Sequence, residues 1–249
     1  MKKMILRILL GVLILVLLLV AGFGVLYAGR IRTVNSIEKV TDYDDYNLYR
    51  MDVKYDYSID DVINYGITDN QSMIDAILKE ALPLLPVKMK APQFGCSAFA
   101  TVLDRHIVMG RNYDFKRDTS AMLVYCAPKN GYKSVALTAL DNISANDPEA
   151  GLKKKLACLT APFICLDGMN EKGVSIAVLT LDSEPVNQST GKQKIFTTLA
   201  IRLVLDRAAT TQEAVDLLNS YDMFATSGRD YHFFVVDASG DARVLEYDP

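Results

Sequence analysis

The hydrophobic positions of this chain change rhythm several times, and each change marks an element. From Ile8 to Ala28 they run almost unbroken, 21 uncharged residues reading ILLGVLILVLLLVAGFGVLYA. At about 1.5 Å per residue such a helix spans about 30 Å, the thickness of a bilayer core. Residues 30–70 lose the pattern: they are acidic, Tyr-rich and without a clean period, which predicts a partly ordered linker or pro-segment rather than core. In QSMIDAILKEALPLLP the residues Met73, Ile74, Ile77, Leu78, Ala81 and Leu82 return at helical spacing, and Pro83 and Pro86 close the helix. Residues 87–95 read as an extended connector.

From Cys96 the period falls to two. CSAFATVL and HIVMGRNYDF predict a hairpin turning near Asp104-Arg105, and AMLVYCAP and KSVALTAL predict two further strands. APFICLDGMNEKGVSIAVLTL reads as another hairpin, with Asn170-Glu171-Lys172-Gly173 supplying a tight turn that needs a positive φ. Helical spacing returns in IFTTLAIRLVLDRA and in TTQEAVDLLNSY, where Thr210 and Glu213 predict a capping box. A last hairpin, YHFFVVDASGDARVLEY, turns at Ser239-Gly240. Strands, two helices, then strands predict an α+β fold in which a sheet is layered with helices. No repeat or low-complexity tract interrupts it.

Charge and composition narrow the picture. Lys2, Lys3 and Arg7 precede the apolar stretch, so its N-terminus stays cytoplasmic and the rest crosses the membrane. The stretch exceeds the usual signal-peptide core, and Leu26-Tyr27-Ala28-Gly29 is a poor small-x-small site; an uncleaved anchor is the better reading. After the first 35 residues the chain carries 22 Lys and Arg against 30 Asp and Glu, which excludes the basic face a nucleic-acid partner requires. Self-association stays open. The four cysteines, 96, 126, 158 and 165, show no CxxC spacing, and with only two histidines they form no zinc set. Cys126, Cys158 and Cys165 read as buried small hydrophobes, with disulfides among them permitted outside the cytoplasm.

Cys96 stands apart, following a glycine in APQFGCSAFATVL. A Cys-His hydrolase would need His106, at a hairpin turn, or His232, in a strand. A redox role would favour a CxxC pair or a helix start, and Cys96 opens a strand. The third route makes Cys96 a new N-terminus. If the Gly95-Cys96 bond breaks, the freed α-amine, with a pKa of about 7.7 to 8.0, takes the proton of its own thiol, whose pKa is about 8.5. Nucleophile and base then share one residue. Gly95, lacking a Cβ, lets the thiol approach its carbonyl. GRNYDF places Arg111 and Asp114 on the return strand, 15 and 18 residues after Cys96. There a carboxylate would orient the amine and a guanidinium would favour thiolate, whereas the plainer reading is a surface ion pair.

At these residues the sequence resembles the choloylglycine hydrolase and penicillin V acylase superfamily, linear-amide C–N hydrolases of N-terminal-nucleophile type. GCSAFA resembles the processing site and nucleophile, GRNYDF the GRN-x-D motif, and DGMNEKGVSIAVLTL the NEKG hairpin; the likeness covers residues 95–249. The resemblance implies a four-layer αββα sandwich and hydrolysis of a non-peptide N-acyl amide, a small-molecule substrate, without a cofactor. Cys96 would be nucleophile and base, Asp114 would hold its amine, and Arg111 would sit beside the thiol. Asn170 and Thr180 would line the substrate; bile-salt members carry asparagine where Thr180 stands, which disfavours such a substrate. The pro-segment with its Gly-Cys junction resembles the self-cleaving subgroup that includes acyl-transferring penicillin enzymes. The chain then divides into an anchor (1–30), a linker and pro-segment (31–95) and a hydrolase domain (96–249), with the catalytic part outside the cytoplasm, anchored or secreted. Only 154 residues follow Gly95, while members continue to an oxyanion-hole asparagine and a further arginine. The chain is therefore expected to be C-terminally truncated, or a shortened relative that binds ligands without turning them over.

Overall fold

The structure, a computed structural model, describes residues 2–85, 87, 89, 96–114 and 118–248. The Gly95 side of the expected junction, the closing Pro86 and most of the expected connector lie outside the described residues. A single helix, α1 (Lys2–Val34), opens the chain. It is long and apolar enough to cross a membrane or to serve as a signal sequence. Its last two turns differ from the rest: Tyr27, Arg30, Thr33 and Val34 are buried. The Arg30 guanidinium donates to the carbonyls of Glu80 and Ala81, orphan acceptors at the end of a later helix, Asn70–Ala81.

Residues 30–70, expected as a partly ordered linker or pro-segment rather than core, contribute buried residues to the core, although about half of the stretch is exposed. They form β1 (Glu38–Lys39), β2 (Leu48–Asp52) and α2 (Ile59–Ile63), and α3 (Asn70–Ala81) follows where the helical spacing placed it. Tyr49 and Met51 point inward from β2 while Arg50 between them is exposed. Two buried tyrosines complete the correction: the Tyr55 hydroxyl donates to the Leu159 carbonyl at 2.7 Å, and the Tyr57 hydroxyl to the Asp206 carboxylate at 3.0 Å. A buried tyrosine needs such a partner, and these two find theirs more than a hundred residues away.

The predicted hairpin is β3 (Cys96–Leu103) with β4 (His106–Tyr113), joined by Asp104 and Arg105, both at positive φ as a type I′ turn requires. Then come β5 (Ala121–Cys126), β6 (Ser134–Ala139), the short helix α4 (Leu152–Ala157), β7 (Asp167–Asn170) and β8 (Ser175–Leu181). They are followed by β9 (Lys194–Phe196), α5 (Thr197–Arg207), α6 (Thr211–Asn219), β10 (Asp222–Phe224), β11 (Asp230–Val236) and β12 (Ala242–Leu245). The Thr210 side chain caps α6, and Glu213 reaches back to the Ala209 N–H, one residue short of a regular capping box.

One sheet of eight strands, in the order β1-β2-β5-β6-β7-β8-β11-β12, organises these elements. Its pairs are antiparallel except β2 with β5. Alternation along β7 separates its faces. A Cβ on Gly168 would meet Leu205 of α5 at 2.7 Å, so that face carries the helices. Asp167, one residue earlier, faces the other way and meets Arg111 of the hairpin. Helices, sheet and hairpin therefore make three layers among the described residues, a mixed α/β arrangement with the main core between α5 and the sheet. The outer helical layer of the expected four-layer sandwich is not seen among them.

Candidate active site

The two-residue turn fixes the hairpin register, setting Cys96 opposite Tyr113 and Ala98 opposite Arg111. Period-two alternation puts Cys96, Arg111 and Tyr113 on the inner face, toward the sheet. There an Arg111 Nη hydrogen-bonds the Cys96 Sγ. The guanidinium is only 5% exposed and is fixed from several sides: its Nη1 lies 3.3 Å from the Asp167 carboxylate, its Nη2 points at the Val178 carbonyl, and it lies over the Tyr113 ring. A cation so held beside a sulfur stabilises thiolate over thiol. Beside Arg111 and Asp167 the hairpin leaves a groove of about 510 Å³, walled by Met109, Leu123, Val135 and Leu137.

Asp167 itself is perturbed. Burial pushes its carboxyl up to about 6, against the opposing pull of Arg111. Burial also raises the phenols of Tyr113 and Tyr231, so both hydroxyls are neutral. Among the described residues no group of three or more His, Cys, Asp or Glu is placed to hold a metal ion.

Asp114 is not brought to this cluster. It follows Tyr113, so its side chain takes the outer face, where it is exposed and accepts from the Asn112 amide at 2.8 Å. Parity therefore keeps the Asp114 carboxylate off the face that carries the thiol, while the role expected for it concerns the Cys96 main-chain amine. His106 opens β4 at the far end of the hairpin, seven residues from Cys96 along the strand, or about 23 Å. The His232 imidazole is engaged by Glu246 at 3.0 Å.

A family model for linear amide C–N hydrolases of the choloylglycine hydrolase family matches residues 96–249. The chain belongs to the choloylglycine hydrolase family. Three solved structures of that kind resemble it. Penicillin V acylase from Agrobacterium tumefaciens matches at 21% identity and a TM-score of 0.42, over 61% of this chain and 46% of its own. Two variants of the conjugated bile acid hydrolase from Clostridium perfringens match at 18% identity, with TM-scores of 0.44 and 0.41, over 61% and 60% of this chain and 47% of their own. The chain thus spans about half the length of these structures. Among curated proteins no relative matches.

In this choloylglycine hydrolase family member the NEKG turn is structural. The Asn170 amide, expected to line the substrate, donates to the carbonyls of Leu205 and Ala208 and accepts from the N–H groups of Lys172 and Val174. Both ends of the side chain are consumed in tying the turn to the end of α5, which corrects that expectation. Gly173, at φ 85°, meets Ala238 so closely that a Cβ would lie 2.8 Å from it. Gly110 of the GRN motif has a different reason: the Phe99 ring, from the other motif, lies across it. Thr180 lies near the end of β8, half-buried and opposite Tyr231. Cys126, Cys158 and Cys165 are buried thiols outside any disulfide, and burial pushes Cys158 and Cys165 up to about 12.

Asp167, Tyr113 and Tyr231 were not singled out in the sequence. Asp167 opens the DGMNEKG motif, but its partner sits in another layer, and spacing along the chain carries no signal for that. Tyr113 could have been found from the hairpin register, since it falls directly opposite Cys96.

Proposed function

We propose that the protein is a precursor amidohydrolase that cuts itself before Cys96 and then hydrolyses a linear N-acyl amide through a Cys96 thioester. The observation that carries this reading is the contact between the Cys96 sulfur and a guanidinium locked by Asp167, at the residue where the family match begins. In the self-cleavage step the thiol adds to the Gly95 carbonyl and the C–N bond breaks. The nitrogen takes a proton to become the Cys96 amine, and water hydrolyses the thioester to leave a Gly95 carboxylate. The freed amine then serves as base for its own thiol. The thiolate attacks a substrate amide, the amine hands its proton to the leaving nitrogen, and water releases the acyl group.

Asp114 lies one residue beyond the partner of Cys96, beside the position of the freed amine. In the proposed mature state its carboxylate leaves Asn112 and accepts from that ammonium. Thr180 lines the substrate site, completed by the remaining layer of a four-layer sandwich. The chain is anchored by α1 with its catalytic part outside the cytoplasm. The burial of Tyr27, Arg30, Thr33 and Val34 supports an anchor over a removable signal, because signal cleavage near Ala28 would sever packed residues.

The test is to trap the acyl-enzyme with a panel of N-acyl amides that includes penicillin V and a conjugated bile acid. Rapid quenching and peptide mass analysis should find the acyl mass on the peptide beginning at Cys96, and none in Cys96→Ala. Turnover that survives Cys96→Ala would overturn the assignment.

A further inference from the structure

The apolar helix enters the folded body without a linker. Its last turns pack in step against the end of α3: Arg30 donates to the carbonyls of Glu80 and Ala81, and Tyr27, three residues nearer the apolar stretch, donates to the carbonyl of Pro83. Three residues of helix advance about 4.5 Å, so α3 and the loop after it run alongside α1 toward that stretch. On another side Gly29 lies so close to Lys54 and Tyr55 that a Cβ would sit 2.7 Å from the Lys54 carbonyl. The body is therefore held against α1 at the point where its uncharged residues end.

Leu84 comes next in that direction. It follows Pro83 directly and is 83% exposed, more than any other large apolar side chain among the described residues, whereas Ala81 and Leu82 are buried and Leu85 packs against the core. Its φ is 67°, a left-handed backbone that a leucine adopts only at a cost. The chain on both sides is fixed: the Leu82 N–H donates to the Leu78 carbonyl at 2.8 Å, and the Leu85 N–H to the Leu82 carbonyl at 3.2 Å. A leucine turned outward on strained backbone gives up burial in water, and a hydrocarbon surrounding would restore it.

The neighbouring residues are layered as a bilayer edge is. Phe23 and Tyr27 stack on α1 with ring centroids 4.4 Å apart, aromatic side chains of the kind that gather where membrane meets water. Farther along, exposed Arg32, Lys54 and Lys79 present positive charge. The Lys54 N–H donates to the Thr33 hydroxyl at 2.7 Å, and Lys79 precedes the residue whose carbonyl receives Arg30, so these cations stand a turn or two beyond Tyr27. The Glu80 carboxylate beside them is turned inward, where it accepts from the Ser58 N–H.

Resting on the reading that α1 stays in the membrane, we infer that Leu84 is a second membrane contact. It inserts beside α1 at the boundary between headgroups and acyl chains, with Arg32, Lys54 and Lys79 among the phospholipid phosphates. A single crossing helix leaves tilt and rotation open, and an anchor at its side fixes both. The hydrolase domain is then held in one orientation against the bilayer surface instead of swinging from a tether.

The sequence contains no tryptophan, so one introduced residue reports alone. Full-length Cys96→Ala protein, which keeps the chain whole, carries Leu84→Trp and is placed in lipid nanodiscs of phosphatidylcholine and phosphatidylglycerol. The lipids bear bromine near either the headgroup end or the tail end of their chains. Bromine near the headgroups should quench Leu84→Trp at least twofold, and its emission should lie to the blue of Val244→Trp, an exposed position on β12. Iodide in the buffer should quench Val244→Trp and spare Leu84→Trp. Val16→Trp, in the middle of the apolar stretch, reports on the anchor itself through the tail-end bromines. A Leu84→Trp open to iodide and untouched by lipid, with Val16→Trp quenched, would overturn the inference and leave the anchor standing; absence of lipid quenching at both would remove anchor and inference together. If a thermal melt shows that tryptophan at 84 disturbs folding, Leu84→Cys carrying a polarity-sensitive dye takes its place, since Cys126, Cys158 and Cys165 are buried. A dye that reports water there overturns the inference in the same way.

Discussion

Arg111 and Asp167 set the chemistry around Cys96 and define the first expectations. With its carboxyl raised to about 6, the folded protein holds the Asp167 proton more tightly than an unfolded chain, whose aspartate releases it near 3.8. Stability is therefore greatest when Asp167 is protonated and falls as pH rises from about 4 to about 6, because there only the unfolded state has lost the proton. Denaturant midpoints across that range should decline in wild-type protein, and this part of the decline should vanish in Asp167→Asn. Activity responds with the opposite sign, since Arg111 has its counter-charge only above about 6. The acid limb of the rate profile near that pH should disappear in Asp167→Asn, while the rate on the plateau falls. Arg111→Met should lower hydrolysis by at least tenfold and slow alkylation of Cys96 by removing the charge that favours thiolate. The Cys96–Arg111 contact was legible from the hairpin spacing, and the outward face of the Asp114 side chain could be read from the same register. A turn at 104–105 puts Cys96 opposite Tyr113, so Arg111 shares the inner face and Asp114 cannot.

At the scale of elements, two motif glycines separate strain from packing. Gly173 combines a positive φ with backbone-fixed contact against Ala238, so Gly173→Ala should destabilise the protein by about 2 kcal/mol. Gly110 meets only the Phe99 ring, and that side chain is exposed and free to turn away. Gly110→Ala should therefore cost less than Gly173→Ala in the same urea titration. Tyr57→Phe removes a buried bond to a carboxylate and should cost about 1.5 to 3 kcal/mol. Helices α3, α5 and α6, the β3–β4 hairpin and the two NEKG and Ser239-Gly240 turns were legible from period and turn chemistry. β2 and α2 were not, because each is too short for its period to stand out: LYRMD alternates over only five residues, and IDDVI is little more than one turn. Their burial comes from long-range bonds through Tyr55 and Tyr57, which local pattern does not encode.

The whole molecule shows how an acidic, tyrosine-rich stretch without a clean period still adds strands and buried side chains to the core. Its residues supply strands at one end of a sheet whose other members lie 70 to 200 residues away, and the β2–β5 pair is parallel, a neighbour that adjacency along the chain does not suggest. The three layers likewise follow from Gly168 facing α5 and Asp167 facing Arg111, a pair of contacts across the sheet that no spacing rule contains. What the sequence did carry to this scale was the order of its chemistry: an apolar helix, a glycine before a cysteine, then the arginine strand. That order makes the identity of the mature N-terminus the central question. Intact mass and N-terminal sequencing of the full-length protein, freshly extracted from membranes and active on an N-acyl amide, answer it directly. Two chains are expected, one of them beginning at Cys96, with Cys96→Ala remaining a single chain; an active preparation that stays uncut throughout would contradict the self-cleaving nucleophile.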